Sequence, residues 1–194
     1  MSTARDALLS FARCFGVNDH KAVYVSTPIT TGQSFLTWRR QNPSLVEAHP
    51  GYATNHRQQV VEANLARAEQ VVRQVRAAFA GVVIDPTKLD DVDGWRQPDY
   101  HEFWADVVAN FAHTVVFVNG WYYSSGCALE FATAVRHRLT LLDENLHALD
   151  PQRGIRLLTE AADELVSAGL EEAGTLARAA DEAKAAVAST PQPR

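Results

Sequence analysis

The sequence predicts an α/β domain built on a parallel sheet, and two observations carry that reading. Short β-branched runs alternate with stretches of helical periodicity between residues 21 and 143. Each such run also stops at a serine, asparagine or aspartate followed by loop-forming residues. Parallel neighbours need a crossover between them, so the intervening helices cover both faces of the sheet.

A first helix is expected over Ala4–Phe15, where Leu8, Leu9, Phe11, Ala12 and Phe15 share a face and Gly16 follows. Ala22–Val25 reads as a strand that delivers the loop around Pro28 and Gly32. Residues 33–56 mix aromatics, arginines, two prolines and a glycine without clear period and read as a long functional loop. From Arg57 to Ala80, Val61, Leu65, Ala68, Val72, Val75 and Phe79 recur at three- and four-residue steps, the pattern of an amphipathic helix ended by Gly81. Val82–Ile84 is expected as a buried strand closing at Asp85-Pro86, followed by an acidic loop and a helix around Tyr100–Phe111. His113–Val118, Gly126–Arg136 and Leu139–Leu142 complete the pattern as strand, helix and strand, the last closing at Asp143. After Pro151 a pair of helices interrupted at Gly169 is expected, the second rich in alanine and in need of a partner surface. The domain division is therefore an N-terminal helix over 1–20, an α/β domain over 21–146 and a helical extension over 147–194.

Composition narrows the function. A formal charge of −5 and the lack of a long basic stripe argue against a nucleic-acid polymer as partner. Cys14 and Cys127 lie in unlike contexts without CxxC spacing, and the N-terminus lacks the basic start and apolar run of a secretory signal, which points to a soluble, cytoplasmic protein. The seven histidines show no paired ligand spacing, so no metal is expected. DDVDG does not place the oxygens of a calcium loop in register, and neither a Walker loop nor GxGxxG occurs. No cofactor is indicated.

The strand ends at Ser26, Asp85, Asn119 and Asp143 should share one edge, the edge at which open α/β sheets bind ligands. One turn into the helix beyond Asn119 stands Glu130, between Leu129 and Phe131 in an otherwise apolar segment. A carboxylate held there can serve as nucleophile or base. Ser124, Ser125 and Gly126 open that helix, where free backbone N–H groups accept either a serine cap or an anion. The hydroxyl-rich Ser26, Thr27, Thr30, Thr31 and Ser34 are candidates to line a ribose or phosphate. Tyr24 and Tyr122 could stack on a base, bond a ribose, or simply pack.

The run Trp121-x-x-Ser124-x-Gly126-x-x-x-Glu130, the first strand and loop YVSTPITTG, and Asp106 ahead of the third strand together resemble the nucleoside 2-deoxyribosyltransferase-like superfamily. The resemblance spans about residues 21–143. It implies a flavodoxin-like, Rossmann-like parallel sheet and cleavage or transfer at an N-glycosidic bond of a nucleoside or nucleotide. Glu130 would match the nucleophile at the anomeric carbon, and Asp106 the acid that protonates or orients the departing base, the logic of a retaining glycosidase. Substrate contacts would come from Tyr24, Ser26, Thr27, Pro28, Asp85, Trp121, Ser124, Ser125 and Gly126. A homo-oligomer is implied as well, since sites in that family can borrow residues from a neighbouring subunit. Two departures stand out: Thr27 occupies the place of a glycine, and His113 that of an acid before the third strand. They motivate a second expectation, a non-catalytic nucleotide-binding or assembly protein, beside an NAD-cleaving variant of the same chemistry. Trp38, Arg39 and Arg40 in the 33–56 segment are candidates for a lid, a phosphate clamp or a subunit contact.

Overall fold

The computed structural model describes residues 20–189 together with Asp6 and residues 8–10. Asp6 and residues 8–10 are helical, and Leu8 and Leu9 pack against the main core. The rest of the expected N-terminal helix, Cys14 included, lies outside the described residues.

Four strands, β1 (Ala22–Ser26), β2 (Val83–Ile84), β3 (Ala112–Phe117) and β4 (Thr140–Asp143), form one parallel sheet in the order β2-β1-β3-β4. The helices are α1 (Gln33–Gln41), α2 (Tyr52–His56), α3 (Glu62–Ala78), α4 (Gln97–Phe111), α5 (Ser125–Arg136), α6 (Pro151–Ser167) and α7 (Ala173–Ala188). This is a flavodoxin-like, Rossmann-like α/β fold with a helical C-terminal extension. Among the described residues no helix is long and apolar enough to cross a membrane.

Period-two alternation divides each strand between two cores. Val23 and Val25 of β1 join Val116 and Val118 beneath Val71, Val72 and Val75 of α3. Tyr24, Val115 and Phe117 point the other way, into a larger core with Phe103, Val107 and Phe111 of α4, Phe131 of α5 and the apolar faces of α6 and α7. The chain thus leaves β1 toward one face and β3 toward the opposite face. The crevice between the ends of β1 and β3 is the topological switch point, where such sheets bind ligands.

Helix α5 is sheathed on nearly every side: Cys127, Ala128, Phe131, Ala132, Ala134 and Val135 are all buried, because α4 and α7 flank it above the sheet. A helix apolar around most of its circumference belongs in a core. The alanine-rich α7 finds its partner here, packing along both α5 and α6. Small side chains at Ala173, Ala179, Ala180 and Ala183 are fully enclosed, so the extension completes the same core as the sheet.

Three expectations are corrected. Residues 33–56 are not a loop: α1 and α2 occupy most of the segment. These helices are short and bury few residues, so their periodicity is weak. Aromatic packing holds them instead, with Trp38 meeting Tyr52 and His56 at ring-centroid distances of 5.2 and 5.4 Å. The helix expected from Arg57 begins as a π-helical turn, Arg57–Val61, which shifts the phase of the helical turns beyond it. Val60, Asn64, Ala68, Val71 and Val75 face inward, whereas Val61 and Leu65 are only half-buried. Finally, β2 is a two-residue edge strand and half-buried, with Val82 beside it 42% exposed. An edge strand has only one neighbour to bury it, and no pattern in three residues distinguishes edge from centre.

Candidate active site

Tyr24 and Ser26 lie two residues apart on β1 and therefore project from the same face. Glu130 lies on the sheet-facing side of α5. The Tyr24 hydroxyl donates to Glu130 Oε1 and the Ser26 hydroxyl to Glu130 Oε2, both at 2.6 Å. The carboxyl group is thus gripped from both sides. Tyr24 and Ser26 are completely buried, and Glu130 is 6% exposed.

Burial disfavours the charged form of Glu130 and raises its pKa to about 7, although the hydroxyls of Ser26 and Tyr24 pull the other way by stabilising the carboxylate. Tyr24 is pushed well above the ordinary tyrosine range, first by burial and then by the neighbouring carboxylate, so its hydroxyl stays protonated and remains the donor. The Cys127 thiol is pushed up by burial and by Glu130 in the same way, which leaves it a neutral, unreactive thiol. Glu130 is the one group of this set placed to change charge near neutrality.

The remaining predicted residues fall into three settings. Thr27, Pro28, Ser124 and Ser125 surround the end of β1 and the start of α5 and are buried. Ser124 occupies the N-cap position, but its side chain does not cap the helix; its oxygen accepts instead from the Thr31 hydroxyl at 3.1 Å. This bond ties the loop after β1 to the start of α5. Asp85 caps the short turn Pro86–Lys88, accepting from the Thr87 amide at 3.0 Å and the Thr87 hydroxyl at 2.6 Å. Trp121 is not a wall facing a ligand. It is 3% exposed and packs between Phe117 and Phe131 at centroid distances of 4.7 and 4.8 Å. Tyr24 likewise has no face free for a base, because its ring is enclosed beside Trp104.

Asp106 is half-buried on α4. At 3.6 residues per turn it is rotated about 200° from Trp104, the residue of α4 that meets Tyr24. The side chain of α4 that reaches the first turn of α5 is His101. A Cβ on Gly126 would lie 3.5 Å from His101 Cδ2 and 3.6 Å from Nε2. Since Gly126 and Glu130 are four residues apart, they share a face of α5. Burial and the Arg178 guanidinium hold His101 below its ordinary pKa, which keeps the imidazole neutral at pH 7.

Sequence reading missed His101 and the grip of Tyr24 and Ser26 on the carboxylate. The alternation Tyr-x-Ser was visible, but its partner lies more than a hundred residues away, and only the sheet-to-helix packing joins them.

Arg39 and Arg40 are committed to the protein. The Arg39 guanidinium donates to the Leu45 carbonyl at 2.6 Å, and that of Arg40 to Glu164 of α6 at 2.7 Å. Glu164 also accepts from the Tyr123 hydroxyl, so the extension fastens both α1 and the turn after β3. Among the described residues no group of three or more His, Cys, Asp or Glu side chains is placed to hold a metal ion.

Fold and site together define a flavodoxin-like α/β protein that holds one carboxyl group buried, among the described residues, at the strand-end edge of its sheet. Comparison with protein-family models, with curated proteins and with solved structures gives no match for this chain.

Proposed function

We propose that the protein cleaves or transfers at the N-glycosidic bond of a nucleoside or nucleotide, with Glu130 as nucleophile. The observation that carries this reading is the grip of Tyr24 and Ser26 on a carboxyl group whose pKa is raised to about 7. A basic carboxylate with its orientation locked is suited to attack an anomeric carbon, since no reorganisation is needed at the moment of reaction. In that step an oxygen of Glu130 bonds to the sugar carbon while the carbon–nitrogen bond breaks. The electron pair leaves with the base, which takes up a proton from solvent, and displacement of the glycosyl ester later returns one. Water or a second base then displaces the glycosyl ester. The position of His101 over the first turn of α5 suits it, in place of Asp106, to bond the departing base.

The test is incubation with nucleosides, deoxynucleotides and NAD, with free base followed by chromatography. Base release should rise with pH through about 7 as Glu130 ionises. A Glu130→Gln variant as active as the wild type would overturn the mechanism.

The burial of Glu130 favours a second reading: a nucleotide-binding or assembly protein in which this carboxyl ties β1 to α5. Ligand-induced thermal stabilisation without base release would support it, and turnover of any panel member would exclude it.

A further inference from the structure

Across the sheet from Glu130, at the ends of β1 and β3, lies a cleft of about 350 Å³ that the carboxyl group does not line. Two close contacts separate them. The Val118 amide donates to the Ser26 carbonyl at 2.9 Å, closing the tips of the two strands. Beyond that, Gly32 and Gly120, with φ of 87° and 81°, bring the two following loops together. A Cβ on Gly32 would lie 3.5 Å from the Gly120 carbonyl oxygen, and one on Gly120 would lie 2.9 Å from Gln33 Cβ. The cleft therefore belongs to the α1 and α3 side of the switch point.

The buried Asn64 and the half-exposed Arg67 in its lining are already engaged. Asn64 donates to the carbonyls of Ile29 and Thr31 at 3.0 and 2.9 Å, and the Arg67 guanidinium is neutralised by Glu144 through two bonds of 3.1 and 2.7 Å. Its rim is the opposite. Gln33, Ser34, Thr37, Gln41 and Gln59 all line the cleft, and none of these side chains makes a hydrogen bond to another described residue. Gln59 is carried there by the π-helical turn Arg57–Val61, a conformation that is rare and recurs at functional sites. Each free carboxamide offers two donors beside an acceptor, each hydroxyl offers one donor and accepts as well, and among the described residues no unneutralised charge lines the cleft.

From this arrangement we infer that the cleft is a second binding site, distinct from the Glu130 site, for an uncharged small molecule bearing adjacent hydrogen-bond donors and acceptors, a sugar or a nucleobase. Phosphate-bearing ligands are disfavoured there, because the one cation lining the cleft among the described residues, Arg67, is already paired. The volume falls in the range of small-molecule sites.

The experiment is saturation-transfer NMR and calorimetric titration of the full chain with D-ribose, D-glucose, adenine and uracil, and with ribose 5-phosphate as the charged control. One neutral class should bind, sugars and bases being distinguished by which arm responds. Thr37→Val combined with Gln59→Leu should weaken that binding by at least about tenfold. Both side chains are exposed and unbonded, so the variant should fold, which circular dichroism checks. Glu130→Gln should leave the affinity unchanged. The inference is overturned if no neutral probe binds at millimolar concentration, if the double variant binds as well as the wild type, if ribose 5-phosphate binds more tightly than ribose, or if Glu130→Gln abolishes binding.

Discussion

Replacing Glu130 by glutamine should make the protein more stable at alkaline pH and leave it no more stable at acid pH. The usual carboxyl value of 4.5 is restored on unfolding, whereas the folded value is about 7. Between those two values the folded chain keeps a proton that the unfolded chain has lost, so stability falls as pH rises. The cost is absent below about pH 4.5 and fully present above about pH 7. At about 1.4 kcal/mol per unit, a rise of roughly 2.5 units corresponds to about 3 kcal/mol. Burial of Glu130 to 6% exposure means that solvent screening removes little of this. Glutamine has the same shape and stays neutral. Its oxygen can accept from one of the two hydroxyls while its N–H donates to the other; against the neutral carboxyl it replaces, this rearranged hydrogen bonding costs about 1 kcal/mol, the worth of one neutral hydrogen bond. The variant should therefore gain about 2 kcal/mol over the wild type at about pH 8 and lose about 1 kcal/mol at about pH 4. Urea unfolding followed by circular dichroism across this pH range gives the difference directly, and all other titrations cancel between the two proteins. Two curves that stay parallel from acid to alkaline pH would refute the reasoning, because they would show that Glu130 ionises in the fold as it does in water.

Three further outcomes rest on particular contacts. Tyr24→Phe removes the donor to Glu130 Oε1 and should cost about 1.5–3 kcal/mol above neutrality while moving the carboxyl pKa further up, which urea unfolding and NMR titration of a labelled glutamate would detect. Gly154→Ala on α6 would set a Cβ 2.3 Å from Phe131 Cζ; the overpacking should cost about 1–3 kcal/mol despite the better helix propensity of alanine, and a raised melting temperature would contradict it. Arg67→Ala breaks the two-bond pair with Glu144, yet the arginine is half-exposed, so the loss measured by urea unfolding should stay below about 1 kcal/mol.

How much was legible in the chain depended on the range of the forces involved. The alternation of strands and crossover helices, the edge where Ser26, Asp85, Asn119 and Asp143 gather, and the placement of Glu130 one turn into α5 all rest on local propensity and period. They were readable because side-chain pattern and backbone pattern share a period within a few residues. The segment 33–56 was not readable, because α1 and α2 are held by rings from different parts of the segment and bury too little to leave a stripe. The identity of β2 as an edge was equally hidden, since strand order is a property of pairing between distant segments.

The site shows the same division. Sequence by itself determined which carboxylate to examine and which strand end lies beside it. Tertiary structure alone decided that Tyr24 and Ser26 close on that carboxylate, that Trp121 belongs to the core, and that His101 covers the turn above Glu130. The physical reason is that a pKa, a hydrogen bond and a buried ring are set by what lies within a few ångströms in space, and those neighbours come from segments up to about a hundred residues apart.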